Sequence, residues 1–178
     1  MNWLVLVPGV AAKFLLPVAL IWLPFEAGWL NFALDAVDGD ILIPAGLGGG
    51  AVADENHLYQ NLDKAADYVT YVFMVVAAWR WPLRRWIIGL FVLRTVGQAA
   101  YFLTQNELMF LYFPNFLEPL FLIAATVLRF NRTDPWGHFY RHKFLYGGIV
   151  FVYKMQDEVL THLVNFDRSD AIGRLFGG

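Results

Sequence analysis

Residues 3 to 23 read WLVLVPGVAAKFLLPVALIWL, an apolar run with a single charged residue, Lys13. A transmembrane α-helix needs about 20 predominantly apolar residues, so this run is long enough to cross a membrane. It has no basic N-terminal region and no small-residue cleavage pattern, which predicts a retained membrane helix rather than a signal peptide. Lys13 lies in the middle of the run. There it either faces protein or water or, in another register, lies near a membrane interface.

The composition of the whole chain is typical of a membrane protein. Of its 178 residues, 58% are hydrophobic and only 16% are charged, whereas a globular domain usually carries roughly a quarter charged residues. This length allows five or six membrane segments in one integral membrane domain, 1–178. The absence of cysteine excludes disulfides and thiol chemistry. The net charge of −2 predicts no nucleic-acid partner.

Further apolar stretches follow the first run and predict an all-α, polytopic helical bundle, because backbone in lipid must satisfy its own hydrogen bonds. These predicted segments are 28–45, 63–79, 86–103, 108–128 and 145–166. Aspartates, Gly39 and Pro44 interrupt 28–45, so it either spans as a broken helix or re-enters the membrane. Residues 46–60 are predicted to form a loop.

Charge predicts the orientation of the bundle. Arginine and lysine concentrate in the turn 80–85 and in the connection 129–143. Two predicted segments separate these regions, so they share one side, which the positive-inside rule makes cytoplasmic. The acidic region before the first basic turn should then face outward. We expect a multi-pass protein of a prokaryotic cell membrane.

The stretch from Glu26 to Asp67 holds eight of the fifteen carboxylates. Asp35 and Asp38 are three residues apart and Asp63 and Asp67 are four apart, so each pair shares one face of a helix. Four converging carboxylates would repel one another strongly in a low dielectric unless a cation neutralised them. Oxygen ligands suit Mg²⁺ or Ca²⁺, so the sequence predicts a divalent-cation site at these four aspartates.

An alternative places two of these aspartates at the water surface. Asp38 and Asp63 would then be helix-end residues, with Asp63 favoured near a helix N-terminus by the helix dipole. This alternative does not explain Asp35 and Asp67, each of which is embedded in apolar sequence.

The sequence Asp35-Ala-Val-Asp38-Gly39, followed by Asp63-Lys-Ala-Ala-Asp67, resembles the D-x-x-D-G and D-x-x-x-D halves of the CDP-alcohol phosphotransferase signature. The resemblance implies a six-helix membrane fold in which Asp35, Asp38 and Asp63 bind divalent metal and Asp67 is the base that acts on an alcohol. The family's Ala-Arg is absent here, and the gap before Asp63 is longer than in the family. The family's site also faces the cytoplasm, opposite to the side that charge predicts here.

Polar residues also occur within the later apolar segments. Arg94 and Glu118 are predicted to form a buried ion pair, and Pro114 and Pro119 could break or kink the segment 108–128. The other intramembrane polar residues are Gln98, Asn115, Lys154, Asp157, Glu158 and His162. The last four lie on neighbouring rows of one helix, which favours a stripe that faces solvent or another subunit over a proton relay.

Two classes of function fit these features. The first is a homo-oligomeric cation channel or transporter, in which an outward acidic cluster concentrates and selects an inorganic cation. The second is a divalent-metal-dependent lipid transferase that resembles the phosphotransferases or is a degenerate member, with membrane lipids as partners. A purely structural membrane subunit is a third reading. The predicted orientation favours the first class.

Overall fold

A computed structural model of the chain describes residues 2–47, 57–106 and 108–162. Within these ranges all regular secondary structure is helical, which confirms the all-α prediction. The α-helices are α1 (Trp3–Leu15), α2 (Pro24–Leu42), α3 (His57–Ala77), α4 (Arg84–Thr104), α5 (Leu108–Tyr112), α6 (Leu117–Phe130), α7 (Pro135–Arg141) and α8 (Lys143–His162). Residues 48–56 of the predicted loop and 163–166 of the last predicted segment lie outside the described residues.

The chain forms two compact units, Met1–Ala77 and Ala78–Gly178. In the first unit, α1 continues as a 3₁₀ helix, Leu16–Ile21, and the three helices α1, α2 and α3 pack against one another. Their common core consists of Leu6, Leu42, Ala45 and Leu47, with Val10, Tyr59 and Leu62 packed against it. The prediction of one domain over 1–178 stays a prediction.

The structure corrects two boundaries around the second predicted segment. α2 continues without interruption through both of its central aspartates to Leu42, so the helix does not break at Asp38-Gly39. It ends in a π-helical turn, Ile43–Leu47, where Gly46 has a φ of 127°, a backbone conformation that glycine adopts without steric cost. α3 begins at His57, so residues 57–60 are helical and not part of a loop.

In the second unit, α4 packs against α5 and α6, and α8 packs against both of these short helices. The predicted segment 108–128 is broken between Tyr112 and Leu117, where Pro114 lacks the backbone N–H that a continuous helix would need. The predicted connection 129–143 contains α7. Asp134 begins this helix, because its carboxylate accepts a hydrogen bond of 2.9 Å from the backbone N–H of Gly137.

Two helical stretches of the described chain, Trp3–Ile21 and Arg84–Thr104, are long and apolar enough to cross a membrane. Five or six such stretches were expected, and the difference has two physical causes. The predicted segment 108–128 is split into helices too short to span, and α2, α3 and α8 carry several charged residues. Large apolar side chains are nevertheless exposed, including Leu4 (89%), Leu103 (86%) and Phe144 (85%).

Candidate cation-binding site

Three helices of the first unit supply one charged cluster. α1 contributes Lys13, α2 contributes Asp35 and Asp38, and α3 contributes Asp63, Lys64 and Asp67. We call these six residues the carboxylate cluster. The helical spacing within each aspartate pair places both members on one face, and the packing of α1, α2 and α3 brings those faces together. The structure thus gathers the four aspartates that the sequence singled out.

Lys13 lies at the centre of the carboxylate cluster and is only 5% exposed. Its ammonium group forms ion pairs with Asp38 and Asp63 and lies 3.3 Å from Asp35 Oδ1. Burying an ammonium without a partner would cost several kcal/mol, so the carboxylates are what allow a lysine at this depth. Lys13 therefore faces protein, and its position relative to a membrane interface stays a prediction.

Asp38 is held by two donors. Lys13 donates to one of its oxygens, and the hydroxyl of Tyr59 donates to the other at 2.9 Å. Asp38 is 2% exposed and Asp63 is 8% exposed, and both lie within their helices. The alternative that placed these two aspartates at the water surface is therefore wrong.

The carboxylates best placed to share an ion are those of Asp35, Asp63 and Asp67. One oxygen from each lies within 4.8 Å of the others. Ligand oxygens bind Mg²⁺ or Ca²⁺ at about 2.0–2.6 Å, so two of them on one ion are separated by up to about 5 Å. Three of the four predicted ligands thus meet the distance requirement for a common ion. Asp38 does not belong to this group.

Carboxylates outnumber ammonium groups in the carboxylate cluster. Lys64 Nζ lies 2.8 Å from Asp63 Oδ2 and 3.6 Å from Asp67 Oδ2, which adds a second ammonium to that of Lys13. With all four carboxylates ionised, two negative charges would remain, and like charges at these distances repel in a low dielectric. A divalent cation would neutralise that excess.

The predicted polar residues of α4 to α6 belong to the second unit. Arg94, Gln98 and Asn115 are buried there. Arg94 Nη1 donates to the carbonyl oxygen of Phe113 at 3.2 Å, and its guanidinium carbon lies 4.4 Å from the centroid of the Phe110 ring. The side chain of Asn115 donates to Glu118 Oε2 at 3.1 Å. Pairing of Arg94 with Glu118 stays a prediction.

On α8, Lys154 and Asp157 form an ion pair of 2.5 Å. Lys154 and Asp157 belong to the two neighbouring rows of polar residues predicted on this helix, and their ion pair joins the rows. The side chains of Glu158 and His162 lie outside the described residues.

Sequence reasoning did not connect three side chains with the aspartates, namely Lys13, Tyr59 and Lys64. Tyr59 stands four residues before Asp63, one helical turn away, but the sequence pattern predicts a loop over 46–60. The helical spacing between Tyr59 and Asp63 could have placed them on one face. It was not recognised because α3 begins at His57, earlier than predicted. Lys64 contacts Asp63, its neighbour in the chain, and Asp67, three residues later on the same helix. Helical spacing alone predicts the second of these contacts.

Comparisons with known protein families, with curated proteins and with solved structures find no match for this chain.

Proposed function

We propose that the protein is a multi-pass integral membrane protein that binds a divalent cation at Asp35, Asp63 and Asp67 and transports it. The observation that carries this proposal is the approach of three carboxylate oxygens, from two helices, to within 4.8 Å of one another. The excess of carboxylates over ammonium groups in the carboxylate cluster supports it. A bundle of five or six segments that assembles as a homo-oligomer in a prokaryotic cell membrane belongs to the same proposal.

Lys13 is the reason to prefer transport over a permanent metal cofactor. Its ammonium group pairs with Asp63, which is also one of the proposed ligands. A metal ion that binds there competes with Lys13 for the same carboxylate, so the ion is held less tightly than in a site made of carboxylates alone. Conduction requires a site that releases its ion as well as binding it. The ammonium group of Lys13 can pair with Asp63 again when the ion leaves, which meets that requirement.

The experiment is cation flux into liposomes that contain the purified full-length chain, read with a Mg²⁺- or Ca²⁺-sensitive dye enclosed in the vesicle. Asp67→Asn and Asp35→Asn each remove one charge from the carboxylate cluster and should abolish most of the flux. The matched control is Asp134→Asn, because Asp134 is exposed and caps α7, and asparagine caps a helix about as well as aspartate. Flux that is equal in Asp67→Asn and in wild type would contradict the proposal.

A second candidate, a metal-dependent lipid transferase, is favoured by one observation. Asp35 comes from the D-x-x-D-G half of the resemblance, Asp63 and Asp67 come from the D-x-x-x-D half, and the two halves meet in the structure. A divalent ion would stabilise a phosphate, and Asp67 would accept the proton of the attacking alcohol as CMP leaves. Asp38, which the resemblance makes a ligand, is instead engaged by Lys13 and Tyr59.

Two measurements separate the candidates. The enzyme should release CMP from a CDP-linked lipid only when Mg²⁺ and an alcohol acceptor are present, and Asp67→Asn should abolish that release. Single cysteines introduced into 46–60 should react with an impermeant reagent in intact cells if this region faces outward, as the transporter requires. The chain has no other cysteine, so the labelling reports that position alone. Labelling only after cell lysis would favour the enzyme.

A further inference from the structure

A cavity of about 460 Å³ opens in the second unit where α6 ends and α7 begins. Its lining includes Val127, Phe130, Asn131, Arg132, Thr133 and His138. We call it the α6–α7 pocket. It belongs to a different unit from the carboxylate cluster, and neither candidate function uses it.

The polar residues that line the α6–α7 pocket carry hydrogen-bond donors and one positive charge. Arg132 supplies a guanidinium, Thr133 a hydroxyl and Asn131 an amide. The side-chain oxygen of Asn131 accepts from the backbone N–H of Asp134 at 3.3 Å, so its NH₂ group is the end that remains for a ligand. Guanidinium and amide donors together suit the oxygens of a phosphate group.

No carboxylate is among the residues that line this pocket in the described chain. The nearest in sequence, Asp134, is occupied elsewhere. It accepts from Gly137 N and lies 3.8 Å from Arg141 Nη2. His138, which also lines the pocket, is oriented by a contact of 3.0 Å between its Nε2 and the hydroxyl of Tyr146. The described lining therefore carries one formal positive charge, that of Arg132, and no carboxylate.

Two lining residues are apolar. These are Val127 and Phe130, and Phe130 is 72% exposed. The surrounding sequence 129–143 alternates basic residues with tryptophan, tyrosine and phenylalanine, which is typical of a membrane interface. Basic pockets between helices at such an interface bind the head groups of anionic lipids. A free phosphate would use the donors but would leave the apolar wall without a contact.

We propose that the α6–α7 pocket binds the phosphate of an anionic phospholipid. Arg132 pairs with the phosphate, Asn131 and Thr133 donate to its oxygens, and an acyl chain lies along Phe130. This inference rests on the membrane location proposed above, but it needs neither transport nor catalysis. The proposal gives the basic connection 129–143 a role in lipid binding, in addition to its predicted effect on the orientation of the protein in the membrane.

The test is titration of the detergent-purified full-length chain with fluorescent phosphatidylglycerol, alongside thermal melting of each variant. Arg132→Gln should weaken binding about tenfold, because one charge-assisted hydrogen bond is lost. Arg132→Lys keeps the charge and should retain most of the affinity. Thr133→Val removes a donor without a change of charge and should weaken binding by about threefold.

The matched control is Arg85→Gln, which makes the same change of charge at an exposed arginine outside the pocket lining. It should leave the affinity within about twofold of wild type. Equal losses in Arg132→Gln and Arg85→Gln would show a diffuse attraction to basic surface and overturn the proposal. Unchanged binding in Arg132→Gln would overturn it as well.

Two further arms identify the source of the phosphate and separate this proposal from the proposed function. Inorganic phosphate or glycerol phosphate that binds as tightly as phosphatidylglycerol would overturn the assignment to a lipid. Recovery of the chain from lysed cells without detergent would contradict the membrane location, whatever the result with Arg132→Gln. Loss of lipid binding in that variant with unchanged cation flux would support the pocket as an independent site.

Discussion

The ammonium group of Lys13 in α1 pairs with the carboxylate of Asp63 in α3, fifty positions later in the chain. Both residues are buried, with 5% of Lys13 and 8% of Asp63 exposed. Lys13 also pairs with Asp38 of α2, so one side chain joins all three helices of the first unit. A buried ion pair of this kind specifies how its helices pack, because any other arrangement leaves a charge without a partner.

Replacement of Lys13 by Met should destabilise the protein by about 3–5 kcal/mol, because it leaves buried carboxylates without their counter-charge. The measurement is thermal or denaturant unfolding in detergent. Lys154→Met is the matched control, since Lys154 pairs with Asp157 one turn away on the same helix and joins no other element through that pair. The double variant Lys13→Met, Asp38→Asn should lose less than the sum of its two single variants. Strict additivity would contradict the pairing.

A divalent cation should stabilise the wild-type chain. A ligand that binds only the folded state adds about 2.7 kcal/mol at a hundred times its dissociation constant, so the melting temperature should rise as Mg²⁺ or Ca²⁺ is added. Asp67→Asn should melt at a temperature that no longer depends on the ion, whereas Asp134→Asn should respond like wild type. Equal stabilisation of both variants would place the ion outside Asp35, Asp63 and Asp67.

Tyr59→Phe tests the second donor on Asp38. The change removes a hydrogen bond of 2.9 Å to a carboxylate that is 2% exposed, and the loss should be about 1–3 kcal/mol. Tyr112→Phe is the control because Tyr112 is 69% exposed, and it should change the free energy of unfolding by no more than about 0.5 kcal/mol. Similar stability of the two variants would mean that Tyr59 does not support Asp38.

Glu118→Gln separates two roles for a polar residue of α6. If Glu118 neutralises Arg94, the variant leaves a buried guanidinium without its counter-charge and should lose on the order of 3–5 kcal/mol. Its hydrogen bond with Asn115 can survive the change, because glutamine keeps an oxygen acceptor. Thermal melting in detergent is measured beside flux in liposomes. Wild-type melting with altered flux would show that Glu118 lines an ion pathway instead.

The pairing of the aspartates could be predicted from the sequence because it depends on helical spacing alone. Asp35 and Asp38, like Asp63 and Asp67, share a face in any α-helix, and repulsion between them requires a neutralising group. The identity of that group could not be predicted. Lys13 reaches the aspartates only because α1 packs against α2 and α3, and this tertiary contact leaves no pattern in the sequence.

The helix boundaries likewise depend partly on local sequence and partly on tertiary contacts. Gly39 and its neighbouring aspartates suggested a break by their propensity, yet α2 runs through them because the ion pairs of Asp35 and Asp38 hold them in place. The break comes at Ile43–Leu47, where Pro44 and Gly46 provide it. Local propensity therefore shows which residues disfavour a helix. It does not show at which of them tertiary contacts keep the helix intact.

Two glycines of α4 provide a test of packing in the second unit. A Cβ added at Gly97 would lie 2.5 Å from Cβ and 3.4 Å from the carbonyl oxygen of Phe113, so α4 and the segment after α5 can approach only because this position has no side chain. Gly97→Ala should cost about 1–3 kcal/mol through overpacking. A Cβ at Gly89, on the same helix, meets nothing within 4 Å.

Gly89→Ala should instead stabilise the chain by about 0.5–1 kcal/mol, because alanine is the better helix former and the position has open space. The two variants make the same chemical change in α4 and should shift the melting temperature in opposite directions.

Gly97 also precedes Gln98 and lies one turn from Arg94, which donates to the carbonyl of Phe113. Displacement of Phe113 by the new methyl group should weaken that hydrogen bond, so Gly97→Ala and Arg94→Met should be less than additive. A stabilising Gly97→Ala, or full additivity with Arg94→Met, would show that Phe113 does not contact α4 in this way.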